Sequence, residues 1–171
     1  MKKLSKIVAL LLAGALTMLL FTACSGGGGG GDYGTRDADK EASLFTSVKG
    51  GRQVSAQVTA NDPTLCETAD RHLKEDLNSS VDFLGAKLVA NVHVDGEEGQ
   101  YLIITATANY TGGPLSEAAL AFVEKLAGKK LPGTDVNVHG KGSWVDVGVV
   151  VRNVGTQSYM AVAFKIANPN K

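Results

Sequence analysis

The stretch Trp144-Val-Asp-Val-Gly-Val-Val-Val-Arg152, followed by Ser158-Tyr-Met-Ala-Val-Ala-Phe-Lys-Ile-Ala167, decides the fold class. On an extended chain Val145, Val147, Val149 and Val151 fall on one side, with Trp144, Asp146 and Arg152 on the other. Met160, Val162, Phe164 and Ile166 likewise oppose Tyr159 and Lys165. A period of two marks strands with a single apolar face. Upstream, Leu88, Ala90, Val92 and Val94 oppose Asn91, His93 and Asp95. Leu102, Ile104, Ala106 and Ala108 oppose Tyr101, Thr105, Thr107 and Asn109. Alternation this regular predicts an antiparallel sheet with one face buried and one facing water.

Two helices are expected to cover the buried face. Asn61-Asp-Pro-Thr64 is a helix start, and Leu65, Ala69, Leu73, Leu77 and Val81 follow at helical spacing. A second apolar stripe runs through Leu115, Ala118, Ala119, Phe122, Val123 and Leu126, and Leu131-Pro-Gly133 ends it. Further strands are predicted at Ser43–Val48, Arg52–Ala60 and Asp135–His139. The expected architecture is a two-layer α+β sandwich, an antiparallel sheet with two helices on one face. The run β-α-β-β-α-β is ferredoxin-like, with extra C-terminal strands. An alternative is a duplicated αββ unit, because Leu65-Cys-Glu-Thr-Ala69 echoes Leu115-Ser-Glu-Ala-Ala119 and Asn91-Val-His93 echoes Asn137-Val-His139. From Leu65 to His139 the element order resembles a BON domain, a membrane-associated module of bacterial envelope proteins. That family's glycine-bracketed second strand is absent, since Gln100–Tyr110 holds no glycine. No function carries over from element order alone.

The chain has 171 residues, with 17 Lys+Arg against 17 Asp+Glu and 44% hydrophobic residues. One domain with an appendage fits that length. The charge balance excludes a basic nucleic-acid binder, and the apolar content excludes wholesale disorder. Lys2, Lys3 and Lys6 precede an apolar run from Ile7 to Phe21, which is short for a permanent membrane span. Phe21-Thr22-Ala23-Cys24 then resembles the lipobox of bacterial lipoproteins, with Phe21 where leucine is usual. The resemblance implies that residues 1–23 are a signal peptide removed by signal peptidase II. It also implies that Cys24 carries diacylglyceryl and fatty-acyl (palmitate-type) groups, anchoring the protein on the extracytoplasmic face of a bacterial membrane. Losing Lys2, Lys3 and Lys6 takes the 17 basic residues to 14 against 17 acidic, a mature balance of −3. Residues 24–42, with Gly26 to Gly31 at their head, are expected to be a flexible tether, and 43–171 the globular domain.

Candidate chemistry gathers on the expected open face. A tight hairpin turn at Lys141-Gly142 would set His139 opposite Trp144, and the longer turn would bring His93 near Tyr101, with Tyr159 on a third strand. These five residues form a candidate ligand-binding surface, or else pair across strands to stabilise an exposed sheet. A metal reading would join His93 and His139 with Asp95 or Asp146, but nothing in the spacing brings the two hairpins together. No metal ligand set and no cofactor is therefore assigned. His72 falls at the edge of a helix stripe and Cys66 on a helix face. The chain carries no Gly-x-Ser-x-Gly, His-Glu-x-x-His or phosphate-binding loop. The expected protein is a non-enzymatic envelope lipoprotein, its partners the membrane through Cys24 and another envelope protein. The alternatives are a small-ligand or metal sensor and, least supported, a small surface enzyme.

Overall fold

The computed structural model describes residues 33–83, 86–112, 117–133 and 136–171. The leader, Cys24 and the glycine run lie outside the described residues, as do Leu115 and Asp135. Chain order is β1 (Thr35–Arg36), α1 (Ala38–Lys49), α2 (Pro63–Ser79), β2 (Asp82–Phe83), β3 (Ala86–Lys87), β4 (Ala90–Asp95), β5 (Tyr101–Asn109), α3 (Glu117–Lys130), β6 (Asp146–Val154) and β7 (Gln157–Ala167). Five strands form an antiparallel sheet in the order β1-β6-β7-β5-β4, and β2 pairs with β3 separately. The α+β class and the helix-on-sheet sandwich stand as the alternation implied. No helix among the described residues is long and apolar enough to cross a membrane.

Helix α2 begins where its sequence says it should. Asp62 accepts the Leu65 N–H at 2.8 Å, Pro63 occupies the first turn, and Leu65, Ala69, Leu73 and Leu77 are buried along one stripe. That stripe packs on Val150, Tyr159, Ala161 and Ala163, residues of the parity expected to face water. Helices α1 and α3 cover the other face, where Val149, Val151, Val162 and Phe164 meet Leu44, Phe45, Leu120 and Val123. The two expected helices therefore take opposite faces rather than sharing one. Small residues explain how α2 comes so close: Ala161, Ala163 and Gly148 leave room for it. A Cβ on Gly148 would sit 2.5 Å from the backbone of both Leu65 and Cys66. Gly148→Ala should therefore cost about 1–3 kcal/mol, read as a lower urea midpoint at unchanged m-value. An unchanged midpoint would mean that α2 is not seated as closely as described.

Three expected strands are absent among the described residues. Ser43–Val48 belongs to α1, whose N-cap Asp37 accepts the Lys40 N–H at 3.0 Å and whose Leu44, Phe45 and Val48 face the sheet. Residues 35–42, expected as tether, thus form β1 and the first turn of α1. Arg52–Ala60 is a run of turns, Val54 N–H to Gly51 O and Val58 N–H to Ser55 O, that buries only Gln53, Val54 and Val58. The strand expected at Asp135–His139, on which the BON-like order rests, is not formed at residues 136–139 either. The order helix–hairpin does recur as α2-β4-β5 and α3-β6-β7, but Asn137-Val-His139 is not the counterpart of Asn91-Val-His93, because only the latter lies in a strand.

The outer edge of β6 is sealed by polar groups from three segments. Asn61 imitates a neighbouring strand, accepting the Val149 N–H at 2.7 Å and donating to its carbonyl at 3.1 Å. Glu41, clamped by Arg36 through two bonds of 2.7 and 2.6 Å, accepts the Val151 N–H. The Asp37 and Asp62 N–H groups donate to Val151 O and Val147 O. Asp37 is further held by Asn153 and Lys40, and these bonds, that of Asn153 first, pull its carboxyl down to about 2. An unfolded chain protonates this group near its ordinary 3.8. Its contribution is therefore full above about pH 4 and is lost as pH falls toward about 2. Asp37→Asn keeps the cap without the charge. The gap in Tm between wild type and this variant should close over that window, and a gap constant from pH 6 to 2 would refute the assignment.

Candidate histidine–carboxylate site

Three polar side chains of α2 turn away from its apolar stripe toward the β4 edge of the sheet. His72, Glu75 and Asp76 stand at i, i+3 and i+4, one patch of helix surface. They meet Asn91, His93 and Asp95, which share one face of β4 by strand alternation. The result is a cluster of contacting polar side chains where a helix meets a sheet edge.

Each histidine is held by carboxylates. His72, buried, has Nε2 at 2.7 Å from Asp95 Oδ2 and Nδ1 at 2.9 Å from Glu75 Oε2. His93 Nε2 lies 2.9 Å from Asp76 Oδ2. The two rings stack with centroids 3.9 Å apart and planes 15° from parallel. Asp76 is the hub: it also accepts from Asn91 Nδ2 at 2.9 Å and from the Thr107 hydroxyl at 2.5 Å. Burial alone would push the Asp76 carboxyl up, but the bonds from Thr107, His93 and Asn91 outweigh it and hold it below its ordinary value. At Glu75 burial again works upward, and contacts with His72 and Arg71 prevail and lower it. The Arg71 guanidinium lies against His72, its Nη2 3.0 Å from the ring Nε2, and reaches Glu75 at 3.3 Å and Asp95 at 3.5 Å. Thr105 stands opposite His93 in the β4–β5 register and is fully buried, and its hydroxyl has no hydrogen-bond partner among the described residues.

Of the five residues singled out in the sequence, only His93 belongs to this site. Tyr101 is exposed and pairs with Ala167, because the β4–β5 turn sets His93 opposite Thr105 instead. Trp144 is fully buried rather than on a wet face, its indole N–H donating to Val138 O at 3.0 Å and its ring stacked 3.7 Å from Phe164. The expected hairpin around Lys141-Gly142 is not made; Trp144 instead bridges in parallel to Val54. Tyr159 is buried beneath α2, and its hydroxyl accepts the Lys87 N–H at 3.3 Å. His139 pairs with Glu124 of α3, on the opposite face from His93. Asp146 is also remote, since Asp146, Lys165, Ile103 and Asp95 form one row across four strands, a span of about 14 Å. Burial first, and the charge of Asp62 second, raise the Asp146 carboxyl. The metal set of His93, His139 and Asp95 or Asp146 is thus not assembled.

No protein-family model, curated protein or solved structure matches the chain. One nitrogen-or-oxygen ligand atom each from His72, Glu75 and His93 lies within 4.8 Å of the others. Two imidazoles and carboxylates on rigid elements can share protons or hold a cation. The Cys66 thiol, buried at the start of α2, donates to Val149 O at 3.5 Å and packs in the core. Sequence reasoning placed His72 at the edge of the helix stripe, where it is indeed buried, but gave no site role to His72, Glu75 or Asp76. Their signal was the i, i+3, i+4 polar patch beside the Leu65-Ala69-Leu73-Leu77 stripe.

Proposed function

We propose that the protein is a lipid-anchored, non-enzymatic protein of the bacterial envelope. A diacylglyceryl group on Cys24 holds it at the extracytoplasmic face, and its α+β domain serves as a binding or assembly module for an envelope partner. The observation that carries this reading is the order basic leader, apolar run, Thr22-Ala23-Cys24, then six glycines. The described fold begins at Tyr33, whose carbonyl, with that of Gly34, accepts from Arg152 at 3.3 and 3.0 Å. Eight residues separate Cys24 from Tyr33, a lead that even at full extension spans no more than about 30–32 Å. A domain on so short a lead works close to the bilayer surface.

Expression in a bacterial host with an alkyne fatty acid tests the anchor. The wild-type chain should take up label and partition with membranes, while Cys24→Ala should stay unlabelled and keep its leader. Equal labelling of both, or none of the wild type, would sink the anchor. Turnover of any substrate in a broad hydrolase panel by the purified full chain would sink the non-enzymatic reading.

A further inference from the structure

We propose that His72, Glu75 and His93 bind one divalent transition ion of the zinc class, with Asp95 and Asp76 as the groups that orient the two histidines. Two imidazoles with a carboxylate suit zinc, cobalt, nickel or copper, whereas magnesium and calcium take oxygen ligands. His72 and Glu75 share one helix face at i, i+3, His93 comes from the strand packed against it, and their ligand atoms already lie within 4.8 Å of one another.

The surroundings have the form a metal site needs. A metal-binding histidine usually has a carboxylate on its other ring nitrogen, fixing tautomer and orientation. Here Asp95 takes Nε2 of His72 at 2.7 Å and Asp76 takes Nε2 of His93 at 2.9 Å. Asp76 is itself buried and locked by Asn91 and Thr107, so the orienting group cannot swing away. Charge points the same way. Three carboxylates, Glu75, Asp76 and Asp95, stand here against the single guanidinium of Arg71, surroundings that favour a cation.

Binding requires one movement. Lone pairs lie in the ring planes, and the two planes are nearly parallel at 3.9 Å, so both rings can meet one ion only if one tilts. His72 is buried on α2 and stays. His93 tilts about its bond to Asp76, which keeps Nε2 in place, and the half-exposed Glu75 closes on the ion with it. The unpartnered Thr105 hydroxyl, opposite His93 on β5, gives a turned imidazole or an ion-bound water a hydrogen bond that the stacked state leaves unmade. The site deepens the binding-module reading and rests on it only for its place in the cell.

The test uses the full chain, purified in detergent without a polyhistidine tag and stripped with chelator. Titration with cobalt(II) chloride should give visible d–d absorption that saturates at one equivalent, collapses on adding zinc and survives excess magnesium. Glu75→Ala, at an exposed position that leaves the fold intact, and His93→Ala should each weaken cobalt binding about 10–100-fold. His139→Ala should leave it unchanged. An absent cobalt spectrum, saturation at more than one equivalent, or equal affinity in the Glu75→Ala protein would each overturn the site. Membrane labelling and the cobalt spectrum are read separately, so the anchor and the metal site can fail independently.

Discussion

Replacing Trp144 by alanine is expected to lower stability by about 3–5 kcal/mol, the largest single effect available in the core. The residue is the chain's one tryptophan and is fully buried, with its ring 3.7 Å from that of Phe164 and only 4° from parallel. Its backbone ties two segments together, because its N–H donates to Gln53 O and its carbonyl accepts from Ser55 N–H. Truncation would leave a cavity lined by Phe164 and would orphan the Val138 carbonyl that the indole now satisfies. Trp144→Phe separates these effects. It keeps an aromatic ring for the stack but loses the N–H, and should cost about 1–3 kcal/mol. Urea unfolding followed by far-UV circular dichroism measures both. A loss below about 1 kcal/mol for the alanine variant would mean that the indole is not packed as described.

The second large effect is expected at Arg152. It is buried on β6 and holds Asp70 of α2 through two bonds of 2.6 and 3.0 Å, with Lys74 2.7 Å from the same carboxylate. Removing one partner of a buried pair strands the other, so Arg152→Ala should cost about 3–5 kcal/mol at neutral pH. The pH dependence gives a sharper check. Burial works to raise the Asp70 carboxyl, but Arg152 and Lys74 overcome it and hold it below the ordinary 3.8. In wild type, then, Asp70 adds stability above about pH 4 that is lost as pH falls through its lowered value. Without Arg152 the burial contribution has less to oppose it, the carboxylate becomes a liability at neutral pH, and protonation relieves it. The deficit of Arg152→Ala should therefore shrink between pH 6 and 3. A deficit that grows on acidification would refute the account.

What could be read from sequence was whatever depends on neighbours along the chain. Asp62, Pro63 and the four-residue spacing of Leu65, Ala69, Leu73 and Leu77 declared α2 without reference to anything distant. Strand parity did the same for β4, β5, β6 and β7. Helix α1 was misread because Ser43-Leu-Phe-Thr-Ser-Val48 is rich in residues that favour strands, while its start signal, Asp37 with Lys40 and Glu41, sat in a polar stretch read as tether. The second covered face was hidden by a similar assumption. Val150, Ala161 and Ala163 alternate with larger residues and looked like the weaker side of a half-wet sheet. They are small because a helix lies against them. The histidine site failed to appear for the opposite reason, since pairing His72 with His93 depends on the register of α2 over β4, 21 residues away in sequence. His139 was drawn in because Gly140–Ser143 does turn, Ser143 N–H bonding Gly140 O, yet the segments on either side do not pair as strands.

The grip of Arg152 on the carbonyls of Tyr33 and Gly34 also settles how the fold meets a mechanical load. Gly34 has a positive φ, and a Cβ there would collide with Asn153 O, so the entering chain lies directly on β6. A pull on the N-terminal segment is resisted first at β1 and at the guanidinium of Arg152, then through Asp70 along the axis of α2. The load thus enters at a buried ion pair bridging helix and sheet, before any turn of α1 can be unwound. A lead that ended instead at Ser43 would have unravelled that helix turn by turn.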